Sequence, residues 1–311
     1  MTKYVIKRIL LIIPTILIVS LVLFFMLSFA NSDPGRTILG DYATQEEVDQ
    51  KNHELGVDRP VIVQWFNYFK QIVTKGSFGQ SWFLKKETTE TISAAFPVSL
   101  QLSTYVMLLC LIVGVPIGII SAVKQYSFID NFSRIANMLL SAMPSFLIAL
   151  ILLIFFSLKL GWLPTTGSAS FKYFILPTIA MGLPHTATMQ RLTRSSMLET
   201  IRADYVRTAK AKGAPNGQVI FKHALRNALL PIITQAGILF STCIGGGVVT
   251  EKVFAMNGLG QTMVAAVQSR DVPIIITCCL LISAIYCLVM LIVDVLYAFV
   301  DPRIKAKYSS R

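Results

Sequence analysis

Residues Val272 to Val293, VPIIITCCLLISAIYCLVMLIV, form a stretch of 22 residues without a charge between Asp271 and Asp294. A helix needs about 20 apolar residues to cross the ~30 Å hydrocarbon core of a bilayer. This stretch has that length, and it is apolar around its whole circumference, as a helix surrounded by lipid or protein must be. It therefore predicts a membrane-spanning helix.

The whole chain shares this character. Of its 311 residues 54% are hydrophobic and only 14% are charged, and the mean hydropathy is +0.64. Soluble domains contain about 25% charged residues, so the apolar excess must face lipid. Five further uncharged stretches are Ile9–Ala30, 33 residues between Glu90 and Lys124 (with a span from about Ser99 to Val123), 24 between Arg134 and Lys159, 18 between Lys172 and Arg191, and 24 between Arg226 and Glu251. We predict an all-α polytopic membrane protein with six transmembrane helices.

Two of these stretches have distinctive features. The fourth is the shortest and carries Pro177, Gly182, Pro184 and His185. The first, with Lys7-Arg8 before it and Ser28-Phe29-Ala30 at its end, has the outline of a signal peptide that would leave Asp33 near the mature N-terminus. Signal peptides have apolar regions of about 7–15 residues, and this one has 22, so we interpret it as a span.

The distribution of charge predicts the orientation. The net charge is +12, and with a cytoplasmic N-terminus 17 of the 28 basic residues fall on the inside. Basic residues mark cytoplasmic segments. Those residues are Lys3, Lys7, Arg8, Lys124, Arg134, eight between Arg191 and Arg226, Arg303, Lys305, Lys307 and Arg311. The predicted organisation is an N-terminus and first span (1–30), an extracytoplasmic segment (31–95), a core of five spans (96–300) with an inside loop (191–226), and a tail (301–311), with both termini cytoplasmic.

Several classes of function are disfavoured. The basic residues lie between apolar runs rather than on a nucleic-acid-binding module. The five cysteines all lie in apolar runs without a C-x-x-C pair, so neither a disulfide framework nor a metal site is indicated. No Gly-Lys pair is present to form a phosphate-binding loop, and His53, His185 and His223 are scattered. We expect no catalytic, cofactor or metal site in the chain.

The outside segment predicts two helices. One runs from Gln45 to Leu55 and is stopped by Gly56, and an amphipathic stretch follows from Pro60 to Val73. In that stretch the apolar residues Val61, Trp65, Tyr68, Phe69 and Ile72 recur at helical spacing. Packing over the outer mouth of the bundle and contact with an external partner both explain this pattern.

The inside loop combines basic charge with a helical apolar stripe of Leu192, Met197, Ile201, Tyr205 and Ala209. Gly213 and Pro215 form a helix stop, and small residues cluster before it. Close approach of another protein explains the pattern, and so does an interfacial helix held by anionic lipid.

The stretch ADYVRTAKAKG (203–213), followed by HALRNALLP (223–231), resembles the cytoplasmic loop of permease subunits of ABC importers. The resemblance is greatest to the B-type permease of the oligopeptide, dipeptide and nickel import systems. The general motif is Glu-Ala-Ala, three residues, Gly, nine residues and Ile-x-Leu-Pro. Here Arg207-Thr208-Ala209 and His223-Ala224-Leu225-Arg226 stand at its two ends, so the Glu and Pro are missing, as in that subfamily's own version.

Further ordered matches cover nearly the whole chain. They are GWLPTTG (161–167), LTRSSMLE (192–199), VVTEKVF (248–254), GLG (258–260) and RDVP (270–273). Asn257 departs from the proline that usually precedes the glycine, but an Asn-Gly pair also supports a tight turn.

The resemblance implies a type I ABC importer permease fold with a cytoplasmic coupling helix. It also implies a second related permease, two ABC ATPase subunits that hold ATP and Mg²⁺, an extracytoplasmic substrate-binding protein and the cell membrane of a prokaryote. The cargo would be di- or oligopeptides, with nickel or another metal chelate as the alternative. An ion-coupled secondary transporter would need buried charges or an inverted repeat, and neither is apparent.

The resemblance and the pattern together give three groups of candidate residues. For ATPase coupling they are Arg202, Ala203, Asp204, Tyr205, Arg207, Thr208, Ala209 and Gly213. For the outer loop or gate they are Glu251, Gly258, Gly260, Arg270 and Asp271. For the translocation pathway they are Gln101, Ser141, Met143 and Thr234.

Overall fold

A computed structural model describes residues 2–29 and 33–300. The predicted tail with Arg303, Lys305, Lys307 and Arg311, the end of the first stretch at Ala30, and the side chains of Lys3 and Lys7 lie outside the described residues. Within them the chain is helical, with one isolated β-bridge between Gln80 and Glu87. The helices are α1 (Thr2–Ser28), α2 (Pro34–Leu39), α3 (Gln45–Leu55), α4 (Val61–Lys75), α5 (Thr88–Val123), α6 (Phe128–Ala142), α7 (Ser145–Lys159), α8 (Phe171–Ile201), α9 (Asp204–Ala211), α10 (Asn216–Gly246), α11 (Val248–Val253), α12 (Leu259–Gln268) and α13 (Val272–Val300).

In the described part of the chain, four helices are long and apolar enough to cross a membrane: α1, α5, α10 and α13. The bent pair α6 and α7 makes a fifth span if it is counted as one. The count of six therefore stays a prediction. Helix α5 begins at Thr88, eleven residues before the predicted start at Ser99, and so it crosses the predicted boundary at residue 95.

The third predicted span is not one straight helix. Helices α6 and α7 meet at an angle of 98° at the break between Ala142 and Ser145. Pro144 clashes with a helical conformation of the residue before it, and Met143 has an extended backbone with φ −85° and ψ 126°. The uncharged stretch from Arg134 to Lys159 therefore divides at this proline.

The fourth predicted span is the helix at the centre of the bundle. Helix α8 has 31 residues, about 46 Å at 1.5 Å per residue, but it is not among the apolar helices. Thirteen of its residues are buried, and it packs against α5, α6, α7 and α10. Because protein surrounds it, α8 can carry polar residues that a lipid-facing helix would have to exclude.

Two glycines four residues apart bring α5 close to α8. A Cβ atom at Gly118 would lie 2.6 Å from Cβ of Thr193, and one at Gly114 would lie 3.0 Å from the carbonyl oxygen of Thr186. Glycines at this spacing let two membrane helices approach until their backbones touch. The contact between α5 and α8 is thus set by the absence of side chains.

The outer segment follows the prediction closely. Helix α3 spans Gln45–Leu55 as expected, with a capping box between Thr44 and Glu47 and a left-handed Gly56 at its end. Helix α4 packs against α1 and α13 through the predicted stripe. Trp65 Nε1 donates to Ser20 Oγ at 2.9 Å, and the ring of Tyr68 lies 5.6 Å from that of Phe24. These contacts favour the packing interpretation.

We expect Gly118→Ala to lower the melting temperature (Tm) of the detergent-purified chain, because overpacking a close contact costs about 1–3 kcal/mol. Gly246→Ala is the matched control. A Cβ there meets its nearest atom at 3.9 Å, and both changes gain the same helix propensity. Thermal unfolding of the two variants gives the comparison. Equal Tm values would show that the α5–α8 contact tolerates a methyl group.

Candidate functional site

The predicted coupling segment forms a short helix at one end of the bundle. Helix α9 lies between the end of α8 and the start of α10. Val206 is its buried side chain, 1% exposed, and it packs in a cluster with Met197 of α8, Ala122 of α5 and Val219 of α10. One valine therefore links α9 to the ends of three long helices.

The predicted stripe is wrong at Tyr205, whose side chain is 43% exposed. The stripe assumed that one helix continues from Ile201 to Tyr205. The helix instead ends at Ile201 and restarts at Asp204, with Ala203 extended at φ −69° and ψ 147°. The break shifts the register by one residue, so Val206 takes the inner position.

The eight coupling candidates lie together on the surface of this segment. Ala203 and Ala209 are half-buried, and the exposed members are Arg202, Asp204, Tyr205, Arg207, Thr208 and Gly213. Gly213 has φ +82°, and its N–H donates to the carbonyl oxygen of Lys210 at 3.0 Å. A Cβ there would meet no atom within 4 Å, so the backbone conformation rather than crowding calls for glycine.

A buried ion pair, which the sequence analysis did not identify, braces the same end of the bundle. Arg194 Nε of α8 donates to Asp130 Oδ1 of α6 at 2.6 Å, and Nη2 donates to Oδ2 at 2.9 Å. The Asp130 side chain is fully buried. The available signal was the S-x-x-D spacing from Ser127 to Asp130, which marks a helix start.

Beside this pair, Gln190 of α8 donates to Ser121 Oγ at 3.2 Å and Ser133 Oγ at 3.3 Å. Arg202 reaches Gln125 Oε1 at 3.1 Å. The polar contacts thus tie the end of α8 to the end of α5 and to α6. Removing one partner of a buried ion pair leaves an uncompensated charge, so this end moves most easily as one unit.

At the other end of the bundle, Glu251 joins three elements. Its carboxylate is buried and accepts from Ser99 Oγ of α5 at 2.5 Å and from the N–H of Gln261 of α12 at 2.9 Å. Ser99 Oγ in turn accepts from the N–H of Leu259 at 2.7 Å. Burial raises the pKa of Glu251, while the hydrogen bonds from Ser99, Gln261 and Gly260 oppose the rise.

The two candidate glycines make room for this carboxylate. A Cβ at Gly258 would lie 2.2 Å from Glu251 Oε1, and one at Gly260 would lie 2.8 Å from Val248 Cγ2. The outer loop is also attached here, because the N–H of Gly167 donates to the carbonyl oxygen of Phe254 at 2.9 Å. Segments 161–167, 248–254 and 258–260 therefore meet in one place.

Asp271 and Arg270 belong to a different contact. Asp271 is buried and accepts from the hydroxyl of Ser81 and from the N–H of Trp82 at 3.3 Å. It fastens the outer segment to the start of α13. Arg270 is exposed. The five outer-loop candidates thus divide between two places.

The four pathway candidates do not converge. Gln101 is exposed and donates to Tyr105 Oη at 2.8 Å, and Ser141 lines a cavity at the ends of α6 and α8. Met143 packs on the core. Thr234 donates to the carbonyl oxygen of Leu230 at 3.0 Å and contacts the hydroxyl of Tyr297, which joins α10 to α13. Their roles in a pathway stay predictions.

We expect Gly258→Ala and Glu251→Ala each to lower Tm, the first by pushing the carboxylate from its partners and the second by removing it. The double variant should lose less than the sum, because the alanine no longer meets a carboxylate. Coupling between contacting residues amounts to about 0.5–3 kcal/mol. Thermal unfolding of the four proteins gives the cycle, with Gly246→Ala as control. Additive losses would rule out the contact as the cause.

Two sequence families match the chain. Residues 114–306 match the family described as binding-protein-dependent transport system inner membrane component. Residues 1–103 match its companion family for the N-terminal part of such membrane components. Together the two matches cover almost the whole chain.

Curated relatives match over their full length. The glutathione transport system permease protein GsiC of Escherichia coli (strain K12) is 38% identical over 307 residues, which are 99% of this chain and 100% of the relative. The GsiC of Salmonella typhimurium (strain LT2) gives the same values.

Solved structures support the fold. The MetNI methionine ABC transporter in inward-facing conformations matches in two crystal forms, with TM-scores of 0.56 and 0.54 and identities of 19% and 20%. Each match covers 68% of this chain, and 96% or 97% of the other. The predicted type I importer permease fold is confirmed. The chain is a multi-pass membrane protein that belongs to the family of binding-protein-dependent ABC importer permeases, the inner membrane components of these transport systems.

Proposed function

We propose that this chain forms half of the translocation pathway of an ATP-driven importer for di- and oligopeptides, and that α9 receives the drive. The observation that carries the proposal is the single anchor Val206, which ties an otherwise exposed helix to α5, α8 and α10. A protein that grips the exposed side of α9 can pull on three long helices through this cluster.

The surface of α9 fits such a grip. Its exposed side carries Tyr205 and Thr208 between the charges of Asp204 and Arg207. The ion pair of Asp204 with Arg207 is 3.9 Å long and both side chains are largely exposed. Exposed pairs of this kind contribute little stability, so the two side chains are free to exchange partners when another protein docks.

The partners follow from the family. Importers of this class depend on a binding protein, so we propose a substrate-binding protein outside and two ATPase subunits inside that hold ATP and Mg²⁺. A second, related permease completes the pathway. With α9 on the cytoplasmic side, both termini are also cytoplasmic, which agrees with the bias of the basic residues.

The substrate class rests on the relatives and on the composition of the spans. GsiC is named for glutathione, a small peptide, and the uncharged stretches of this chain hold no cluster of histidine and acidic residues suited to a bare metal ion. A chelated metal needs no such cluster, so a nickel-chelate importer is the second candidate.

Gly213→Val should uncouple transport, because a β-branched residue resists φ +82° and the segment after α9 would have to refold. Gly217→Val is the matched control, since Gly217 has no positive φ and a Cβ there meets no atom within 4 Å. In the assembled transporter we expect substrate import to fall severalfold for the first variant only, with membrane insertion unchanged. Import at the parental rate by Gly213→Val would remove α9 from the coupling role.

Reconstitution tests the function itself. Proteoliposomes with the whole transporter, its binding protein and ATP at the ATPase side should import labelled glutathione or dipeptides without any ion gradient. A nickel chelate added to the same vesicles is the competing cargo, and retention by the binding protein identifies the solute. Import that needs a proton gradient and ignores ATP would instead indicate a secondary transporter.

A further inference from the structure

Helix α4 carries a second apolar flank that the packing against α1 and α13 does not use. Ile62, Phe66 and Val73 are spaced by four and seven residues, so they share one side of the helix. Their side chains are 62%, 62% and 83% exposed. A row of three large apolar side chains is costly to leave in water and marks an interaction surface.

The arrangement around α4 shows three different sides. Trp65, Tyr68 and the rest of the predicted stripe contact the bundle. Gln64, Asn67 and Gln71 line a cavity of ≈ 950 Å³ beneath the outer segment. At 100° per residue, Ile62, Phe66 and Val73 follow directly beside Phe69, on the side away from that polar cavity. The apolar flank is therefore an extension of the bundle-facing side rather than an isolated patch.

The depth of α4 argues for lipid beside this flank. Trp65 bonds to Ser20, which lies eight residues, about 12 Å, inside the outer end of α1 at Ser28. Tyr68 Oη contacts Thr277 Oγ1 at 3.3 Å, five residues inside the start of α13. Helix α4 thus lies alongside the outer ends of two spans and not above them.

The burial of α13 agrees with this position. Its outer half is covered, with Ile274, Ile276 and Cys278 buried, whereas Leu288 and Ile292 farther along are half exposed. Helix α4 takes the place that lipid would occupy against the outer half of α13. On the adjoining helix α1, Val22, Phe25 and Met26 are exposed, and they lie at the level of Phe24, which contacts Tyr68.

We propose that the flank formed by Ile62, Phe66 and Val73 lies in the acyl chains of the outer leaflet, and that α4 is an interfacial helix. Helices with one apolar side, one polar side and basic residues along the edge lie in the plane of the membrane surface in this way. Lys70 neighbours the flank and is exposed, so its ammonium group can reach the headgroups. This proposal is independent of the cargo and of the ATPase contact.

Spin labelling of the full-length chain in phosphatidylglycerol–phosphatidylethanolamine vesicles tests it. Phe66→Cys and the adjacent Asn67→Cys are labelled with a nitroxide in a background whose five native cysteines are replaced by alanine. Oxygen concentrates in acyl chains and a nickel chelate stays in water, so their collision rates separate the environments. We expect severalfold more oxygen than nickel contact at residue 66, and the reverse at residue 67.

The other outcomes overturn the proposal. High nickel contact at residue 66 means that the flank is in water, and low contact with both probes means that protein covers it. If the cysteine-free background does not fold, a photoreactive phenylalanine at position 66 of the native chain gives the same decision. A phospholipid adduct by mass supports the proposal, and an adduct to a protein, including an added substrate-binding protein, contradicts it.

Discussion

The close approach of α5 and α8 is the constraint on which the rest of the structure depends. At Gly114 and Gly118 the two helices meet without intervening side chains, and this contact holds α8 in the middle of the bundle. Position decides what composition is possible there. A helix with Pro177, Pro184, His185 and Gln190 would be poorly soluble in lipid, but inside the protein its polar groups find partners, as Gln190 does with Ser121 and Ser133.

The same helices connect the two ends of the bundle. Helix α5 carries Ser99, which bonds to Glu251 at one end, and Ala122, which contacts Val206 through the cluster at the other. These residues are 23 positions apart, about 35 Å along one helix. A displacement of α9 that shifts α5 therefore acts on the hydrogen bonds of Glu251. Physical coupling of this kind needs an element whose position both ends bias, and α5 is such an element.

The sequence predicted local features well and register poorly. Helix α3 was predicted to the residue, because Gly56 stops it and the next segment begins with a proline. The spacing of Trp65 and Tyr68 likewise identified the inner side of α4. Tyr205 was misplaced because a two-residue break cannot be seen in periodicity, and α6 and α7 were joined because proline is tolerated in many membrane helices. The pair of Asp130 and Arg194 joins positions 64 residues apart, a distance over which one sequence carries no pairing signal.

The glycines of the family motif show why a matching pattern is not yet an explanation. Gly213 has empty space around it and a backbone with φ +82°, so it determines where the chain turns. Gly258 has an extended backbone with φ −97°, which any residue can adopt, and it is needed because Glu251 occupies the space of a side chain. The first glycine serves conformation and the second serves packing. In the motif both are the same letter, and only their surroundings reveal that the inner one directs the chain while the outer one accommodates a charge.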